Sequence, residues 1–157
     1  MCMKSLDYCR QLARSNAYGE YVCMLTLKPA SRRRVLPLIA LDAELRQVAA
    51  KVREEMLAHI RYAWWRENIV AKKAPEHPVL QALAGAGAAQ ESLAHMIDEA
   101  QTAWPKIADT HAALHAAVMA SLDASGQERW QRGLQIVEKH GQSKKWVLPL
   151  KILFSFR

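Results

Sequence analysis

The chain has 157 residues, 51% of them apolar, with only six Gly and six Pro. This composition excludes a disordered or collagen-like chain and is typical of one globular domain, expected to cover 1–157. A net charge of +7 favours an anionic partner and leaves nucleic acid, acidic lipid and acidic protein open, beside a merely solvated basic surface. No apolar run approaches the ~20 residues of a membrane-spanning helix, so we expect a soluble or peripheral protein.

The three cysteines, Cys2, Cys9 and Cys23, all lie near the N-terminus. Their odd number and irregular spacing fit neither a disulfide framework nor a zinc site, which predicts reduced thiols in a cytosolic compartment. The first residues also lack the apolar segment of a secretory signal. We therefore expect a cytoplasmic location.

Two short helices are predicted at the N-terminal end. Apolar side chains recur at helical spacing over 6–15, and after a break the pattern resumes over 18–27. Lys28-Pro29-Ala30 then predicts a turn.

The longest helical period runs over 31–68 and predicts one or two long helices with a bend near 53–55. Ser31 is expected to cap the first of them, and Pro37 either kinks that helix or marks its first turn. Apolar residues at steps of three and four define one face that we expect to be buried: Leu38, Leu41, Leu45, Val48, Val52, Met56, Ile60 and Trp64.

The second half of the chain predicts further helices and no convincing strand. Pro78 is placed to be the first residue of a helix that ends at the glycines after 84. Ser125 and Glu128 form a capping-box pattern that predicts a helix up to His140, with Gly141 as its C-cap. Between them we expect helices over 90–104 and, starting at Pro105, to about 124. The sequence thus predicts an all-α helical bundle of about seven helices.

The tail 144–157 is apolar and aromatic and is flanked by lysines. It is expected either to form a last core helix or to lie on an anionic membrane surface, with Trp146, Phe154 and Phe156 at the headgroup boundary. The second alternative would place the protein at the periphery of the inner membrane.

Several side chains could carry chemistry, and each has a structural alternative. His111 and His115 have a spacing that metal ligands use, but no third ligand is nearby, so two surface histidines are expected. Asp98 is expected to be a surface or capping acid. The basic clusters 32–34 and 144–145 are short and lack a recognition motif, which disfavours nucleic acid. Four arginines predict either a cationic rim above an apolar cavity or a solvated helix face: Arg46, Arg53, Arg61 and Arg66.

The chain resembles the front end of the squalene/phytoene synthase family, the head-to-head prenyl synthases of the all-α isoprenoid-synthase fold. The matching features are Tyr18, Tyr21, the basic turn 31–34, the apolar helix 38–45, Met56-Leu57, Ile60-Arg61 and Trp64-Trp65-Arg66-Glu67. Weaker matches follow at 77–83 and 96–98, and little resemblance remains beyond about residue 100. Within the family, the similarity is to a short, divergent branch that includes a mitochondrial complex I assembly factor.

The resemblance implies an aspartate-rich motif on the first long helix, whose carboxylates hold magnesium ions that bind and remove diphosphate. The corresponding positions here are Arg46, Gln47 and Ala50, and none of them is acidic. Asp42 and Glu44 are two residues apart and so point to different faces of a helix. They cannot replace a chelating pair.

We therefore predict a catalytically degenerate isoprenoid-synthase-fold protein with a binding or assembly role, and with no catalytic residues, metal ligands or cofactors. The alternatives are a prenyl-diphosphate transferase of isoprenoid biosynthesis and a basic helical adaptor without a ligand. Expected partners are a prenyl lipid or a protein, an anionic membrane, and a second copy of the chain, since the sequence ends where family members continue. The residues expected to line the cavity or ligand site are Tyr21, Leu45, Arg46, Arg61, Trp64, Trp65, Arg66 and Asp98.

Overall fold

The computed structural model describes residues 3–71, 76–106 and 111–140. Within these ranges the chain forms helices and short connections, without a strand, which confirms the predicted all-α helical bundle. The described helices number eight, against about seven expected, because the stretch 31–68 forms two helices. They are α1 (Met3–Asn16), α2 (Tyr18–Met24), α3 (Pro29–Lys51), α4 (Glu55–Val70), α5 (Pro78–Ala86), α6 (Gln90–Ala103), α7 (Ala112–Ser121) and α8 (Ala124–His140).

Helix α3 forms the centre of the bundle, since it packs against α1, α5 and α7 and also contacts α2, α4 and α6. Its buried face includes Leu38, Leu41, Leu45 and Val48, none of them more than 6% exposed. The burial of these predicted side chains is therefore confirmed, but α3 is not limited to one apolar stripe, since every residue from 35 to 43 is buried among the surrounding helices. Burying these large aliphatic side chains supplies the main driving force for packing the surrounding helices on α3.

The start of α3 differs from the prediction. The helix begins at Pro29, after Lys28 in an extended conformation, and Ser31 is a buried residue inside it. Proline suits the first helical position because its φ is already helical and its missing N–H would have no partner there. The predicted Ser31 cap is therefore wrong, and Pro37 lies inside the helix rather than in its first turn.

The chain is extended at 52–54, between α3 and α4, which confirms the predicted bend. Helix α4 then buries Ala58, Tyr62, Trp65 and Ile69, largely against α6. The extended residues reset the helical phase, so the α3 stripe does not continue. The prediction that Met56, Ile60 and Trp64 are buried is wrong, because these side chains are 76%, 56% and 41% exposed.

The ends of the later helices follow the local signals in part. Pro78 is the first residue of α5, and Gly87 ends that helix with a φ of 68°, a conformation that glycine adopts without strain. Pro105 does not begin a helix: it lies in a turn, and α7 begins at Ala112.

Helix α8 begins at Ala124, before the predicted capping box. Its cap is Asp123, whose Oδ1 accepts a hydrogen bond from the Gly126 N–H at 2.8 Å. Ser125 lies inside the helix, so the predicted Ser125–Glu128 box is wrong. The predicted C-cap Gly141 and the tail 144–157 lie outside the described residues.

Two of the three cysteines, Cys9 and Cys23, lie in the described ranges, and both are free and buried. Burial raises the pKa of the Cys9 thiol to about 12, and it also raises the pKa of Cys23. Both groups are therefore protonated thiols of low reactivity. Among the described helices, none combines the length and the apolar character that crossing a bilayer requires.

Candidate functional site

A groove of about 900 Å³ lies between the C-terminal half of α3 and the N-terminal half of α4. It exists because α4 packs mainly on α6 and contacts α3 only sparsely, so the two helices diverge after the extended linker 52–54. The volume is that of a typical ligand or peptide site. The apolar side chains that line it are Val48, Val52, Leu57, Ile60, Trp64 and Trp65.

The charged side chains that line the groove are Lys51, Arg53 and Arg61 together with the acids Glu44 and Glu54. Lys51 donates a hydrogen bond to Gln47, also on the groove wall. Among the described residues, Arg53 and Arg61 have no ion-pair partner. The three basic side chains outnumber the two acids, so the groove lining carries a formal excess of one positive charge.

Glu44, on the lining of the groove, connects α3 with α1 and with the start of α5. The Tyr8 hydroxyl donates to Glu44 Oε1 at 2.7 Å, and His77 Nε2 lies 3.9 Å from the same oxygen. His77 Nδ1 accepts a hydrogen bond from the Val79 N–H at 3.3 Å, so neutral His77 carries its proton on Nε2, facing the carboxylate.

The same contacts change the acid–base properties of both rings. Burial, followed by the hydrogen bond to Glu44, raises the pKa of Tyr8 to about 12. Burial lowers the pKa of His77, although the charge of Glu44 opposes this effect. Both rings are therefore neutral at physiological pH.

The His77 ring also supports the two tryptophans of the groove. It packs edge-on against Trp65, with ring centroids 4.9 Å apart, and against Trp64 at 5.9 Å. The two indoles contact each other edge-on at 5.1 Å. Edge-on aromatic packing of this kind holds ring orientation, so the Glu44–His77 pair positions one wall of the groove.

A second polar cluster, centred on Asp42, is buried between α2, α3 and α7. Asp42 Oδ2 accepts a hydrogen bond from Arg46 Nε at 2.9 Å and lies 3.0 Å from His111 Nδ1. His111 Nε2 lies 3.3 Å from Glu20 Oε1, and the His111 ring stacks on His115 at 5.8 Å. The cavity beside Asp42 and Arg46 measures only about 10 Å³, too small for an organic ligand.

This cluster corrects the prediction of two surface histidines on one helix. Both rings are half-buried, and His111 precedes α7 rather than lying within it. In the ranges that the structure describes, no three His, Cys, Asp or Glu side chains are arranged to hold a metal ion. The contacts of Asp42, His111 and Glu20 link α2, α3 and the start of α7.

The half-buried His115 ring is expected to make stability depend on pH. Its Nε2 has no hydrogen-bond partner among the described residues, and burial, followed by the nearby His111, lowers its pKa. The unfolded chain takes up this proton below pH ~6.5, while the folded chain resists it, so stability should fall as the pH drops below ~6.5. In thermal unfolding between about pH 7.5 and pH 5, we expect the His115→Leu variant to lose less stability than the original chain. Parallel pH profiles of the two proteins would contradict this.

The structure separates the eight predicted site residues into several places. Arg61, Trp64 and Trp65 line the groove, with Trp65 rather than Trp64 as the buried indole, contrary to the expectation that Trp64 points inward. The others lie elsewhere: Leu45 and Arg46 at the small cavity beside Asp42, Tyr21 partly buried against the core, and Arg66 and Asp98 in an ion pair between α4 and α6.

The positions that correspond to the family's aspartates are equally dispersed. Arg46 is bound to Asp42, Gln47 lines the groove, and Ala50 is exposed. Asp42 and Glu44 contact different neighbours, the first toward α7 and the second toward α1. The arrangement can hold an apolar or anionic partner by contact.

Sequence reasoning missed Tyr8, Glu44 and His77 as parts of the site. Tyr8 and Glu44 are 36 residues apart and belong to different helices, so no local spacing connects them. The only local signal was His77 itself, which directly precedes Pro78 and accepts the Val79 N–H as a helix cap.

Comparisons with known proteins agree with the family resemblance seen in the sequence. A sequence model of the family described as "Squalene/phytoene synthase" matches residues 13–101. The chain is 36% identical over 75 residues to "NADH dehydrogenase (ubiquinone) complex I, assembly factor 6" of Homo sapiens, a segment that is 46% of this chain and 22% of that protein. The Bos taurus and Rattus norvegicus proteins of the same name are each 32% identical, over 75 and 79 residues, covering 46% and 48% of this chain and 22% and 24% of theirs.

The chain thus spans less than a quarter of the length of these curated relatives. No solved structure matches it. The matched region 13–101 contains α2 to α5 and with them both walls of the groove. The family match covers more than half of the residues of this chain. The chain therefore belongs to the squalene/phytoene synthase family.

Proposed function

We propose that this chain is a catalytically degenerate member of its family, with a binding role in the assembly of a respiratory complex. The observation that carries the proposal is the loss of the first aspartate-rich motif, whose positions hold Arg46, Gln47 and Ala50. Arg46 is moreover tied to Asp42, so a cation lies where the family's chemistry needs carboxylates. The relatives' name, that of an assembly factor, supports a role in assembly.

The first test is enzymatic. Incubated with Mg²⁺ and farnesyl or geranylgeranyl diphosphate, the full chain should release no diphosphate above the level of heat-denatured protein, because carboxylate ligands for Mg²⁺ are replaced on α3. A synthase that has the aspartate motif serves as the positive control. Mg²⁺-dependent release would instead support the alternative function, a prenyl-diphosphate transferase.

The second test is cellular. Disrupting the gene in its own host should lower the amount of assembled NADH dehydrogenase on native gels, and lower NADH-driven respiration, while succinate-driven respiration is retained. Re-expression of the chain should restore the complex. An unchanged amount of the complex would contradict the assembly role.

The proposed place of action is the periphery of the inner membrane. The net charge of +7 supports it, since each Lys or Arg near an anionic surface contributes about 1 kcal/mol. In vesicle sedimentation, binding should require anionic lipid, weaken as salt rises, and decrease when Lys144 and Lys145, which lie outside the described residues, are neutralised. Equal sedimentation with neutral and anionic vesicles would contradict this location.

A further inference from the structure

Helix α4 carries apolar side chains on two sides between residues 57 and 65. One side, with Ala58 and Tyr62, is buried where α4 packs on α6. The other side exposes Leu57, Ile60 and Trp64 by about half, and these three side chains lie next to one another along the groove. Contiguous exposed apolar side chains of this size usually mark a surface that a partner covers.

The shape of the groove indicates what kind of partner fits. Val48 and Trp65 form a nearly buried floor, whereas Leu57, Ile60 and Trp64 project into it from the α4 wall. The wall from 57 to 64 is about 10 Å long, or two helical turns. An α-helix that inserts apolar side chains at i, i+3 or i+4, and i+7 matches this length and this concavity. A flat bilayer surface does not reach the floor.

The charge around the groove indicates the composition of that helix. Lys51, Arg53 and Arg61 line its edge, and the two arginines have no ion-pair partner among the described residues. Two acids also line the groove, Glu44 and Glu54, so the formal excess is one positive charge. Acidic side chains that flank the apolar stripe of a partner helix would complement this edge and would guide its approach.

On the basis of the proposed assembly role, we propose that the α3–α4 groove docks one acidic amphipathic α-helix of a protein partner. A second copy of the chain fits less well, because each copy carries a net charge of +7 and the same cationic edge. The chain's own tail carries Lys144, Lys145 and Lys151 and so has the same sign as the groove edge.

The probe is a fluorescent synthetic peptide of about five helical turns, with Leu at i, i+3, i+4 and i+7 and Glu at most other positions. Its twin has Lys in place of Glu, and a scrambled peptide keeps the composition without an apolar face. By fluorescence anisotropy with the full chain at physiological salt, the acidic peptide should bind at least about tenfold more tightly than either control.

Matched variants locate the binding. Ile60→Asp and Arg61→Glu change the groove, while Met56→Asp changes a more exposed residue of the same helix that does not line it. Arg34→Glu is the control for Arg61→Glu: it makes the same charge reversal at an exposed position of α3 that does not line the groove. The two groove variants should weaken binding at least about tenfold and the two controls less than about twofold. The Arg61→Glu variant should also bind the Lys twin more tightly than the original chain does.

All four side chains are exposed, so the unfolding temperatures should stay unchanged, which circular dichroism verifies. Failure of the acidic peptide to bind would overturn the proposal, and so would an equal loss with Met56→Asp. Self-association that Ile60→Asp abolishes would assign the groove to a second copy, and loss of anionic-vesicle binding in both Ile60→Asp and Met56→Asp would assign it to lipid.

This experiment is separate from the test of the assembly role. If the peptide fails to bind while gene disruption still lowers the amount of assembled complex, only the docking proposal is wrong. If the peptide binds and disruption has no effect, the assembly role is wrong and the groove remains a helix-binding site.

Discussion

The Leu45→Ala variant is expected to unfold with a free energy about 2–5 kcal/mol below that of the original chain. Leu45 is 1% exposed on α3, the helix against which most of the bundle packs. Removing its isobutyl group takes away buried apolar surface and leaves a cavity that the surrounding helices can only partly fill. Urea denaturation followed by circular dichroism measures the difference.

Ile60→Ala is the matched control on the next helix. Ile60 is 56% exposed, so a similar truncation should cost less than about 0.5 kcal/mol. The continuous apolar stripe inferred from the sequence would make the two costs equal. A loss above about 2 kcal/mol for Ile60→Ala would show that this side chain is covered in the folded protein.

The Asp42→Ala variant should lose about 3 kcal/mol or more of unfolding free energy. Asp42 receives a hydrogen bond from Arg46 and lies beside His111, and the side chains of Asp42 and Arg46 are only 12% and 19% exposed. Without the carboxylate, Arg46 loses its ion pair with Asp42 and His111 loses the acceptor beside its Nδ1, at a place where these side chains are largely shielded from water. Thermal or urea unfolding at neutral pH measures this loss.

Asp98→Ala is the control for Asp42→Ala. Asp98 pairs with Arg66 on the surface, where the two side chains are 57% and 44% exposed, so solvent screens the interaction. Its removal should cost no more than about 1 kcal/mol. Similar losses for the two variants would show that the Asp42 cluster is open to water and is not a structural link between helices.

Features with a local cause were predictable from the sequence. The burial of Leu38, Leu41 and Leu45 on α3 follows from helical spacing. Both ends of α5 follow from Pro78 and Gly87, whose backbone preferences act within one turn. The start of α8 was not predictable in this way, because Asp123 and Ser125 are both competent caps. In the folded chain Asp123 is the cap, and Gln127 ties the new helix to the end of α7 by donating to the Met119 and Leu122 carbonyl oxygens.

The candidate site was predictable only in part. Arg61, Trp64 and Trp65 were expected there because the family resemblance includes them, and they line the groove. Arg66 belongs to the same motif but turns toward Asp98 on α6, since successive helical residues point in different directions. Tyr8 and His77 were not expected, because helix packing alone brings them to Glu44.

The sequence by itself determined that the chain is all-α and belongs to its family, because helical periodicity and residue identity are properties of short segments. Only the tertiary structure decided which face of α4 is buried. The extended residues 52–54 reset the helical phase, and in the folded chain Trp65, which packs against His77, is the buried indole instead of Trp64. The groove is the consequence, because a helix that packs against α6 leaves its apolar opposite side, with Leu57 and Ile60, facing α3 across open space.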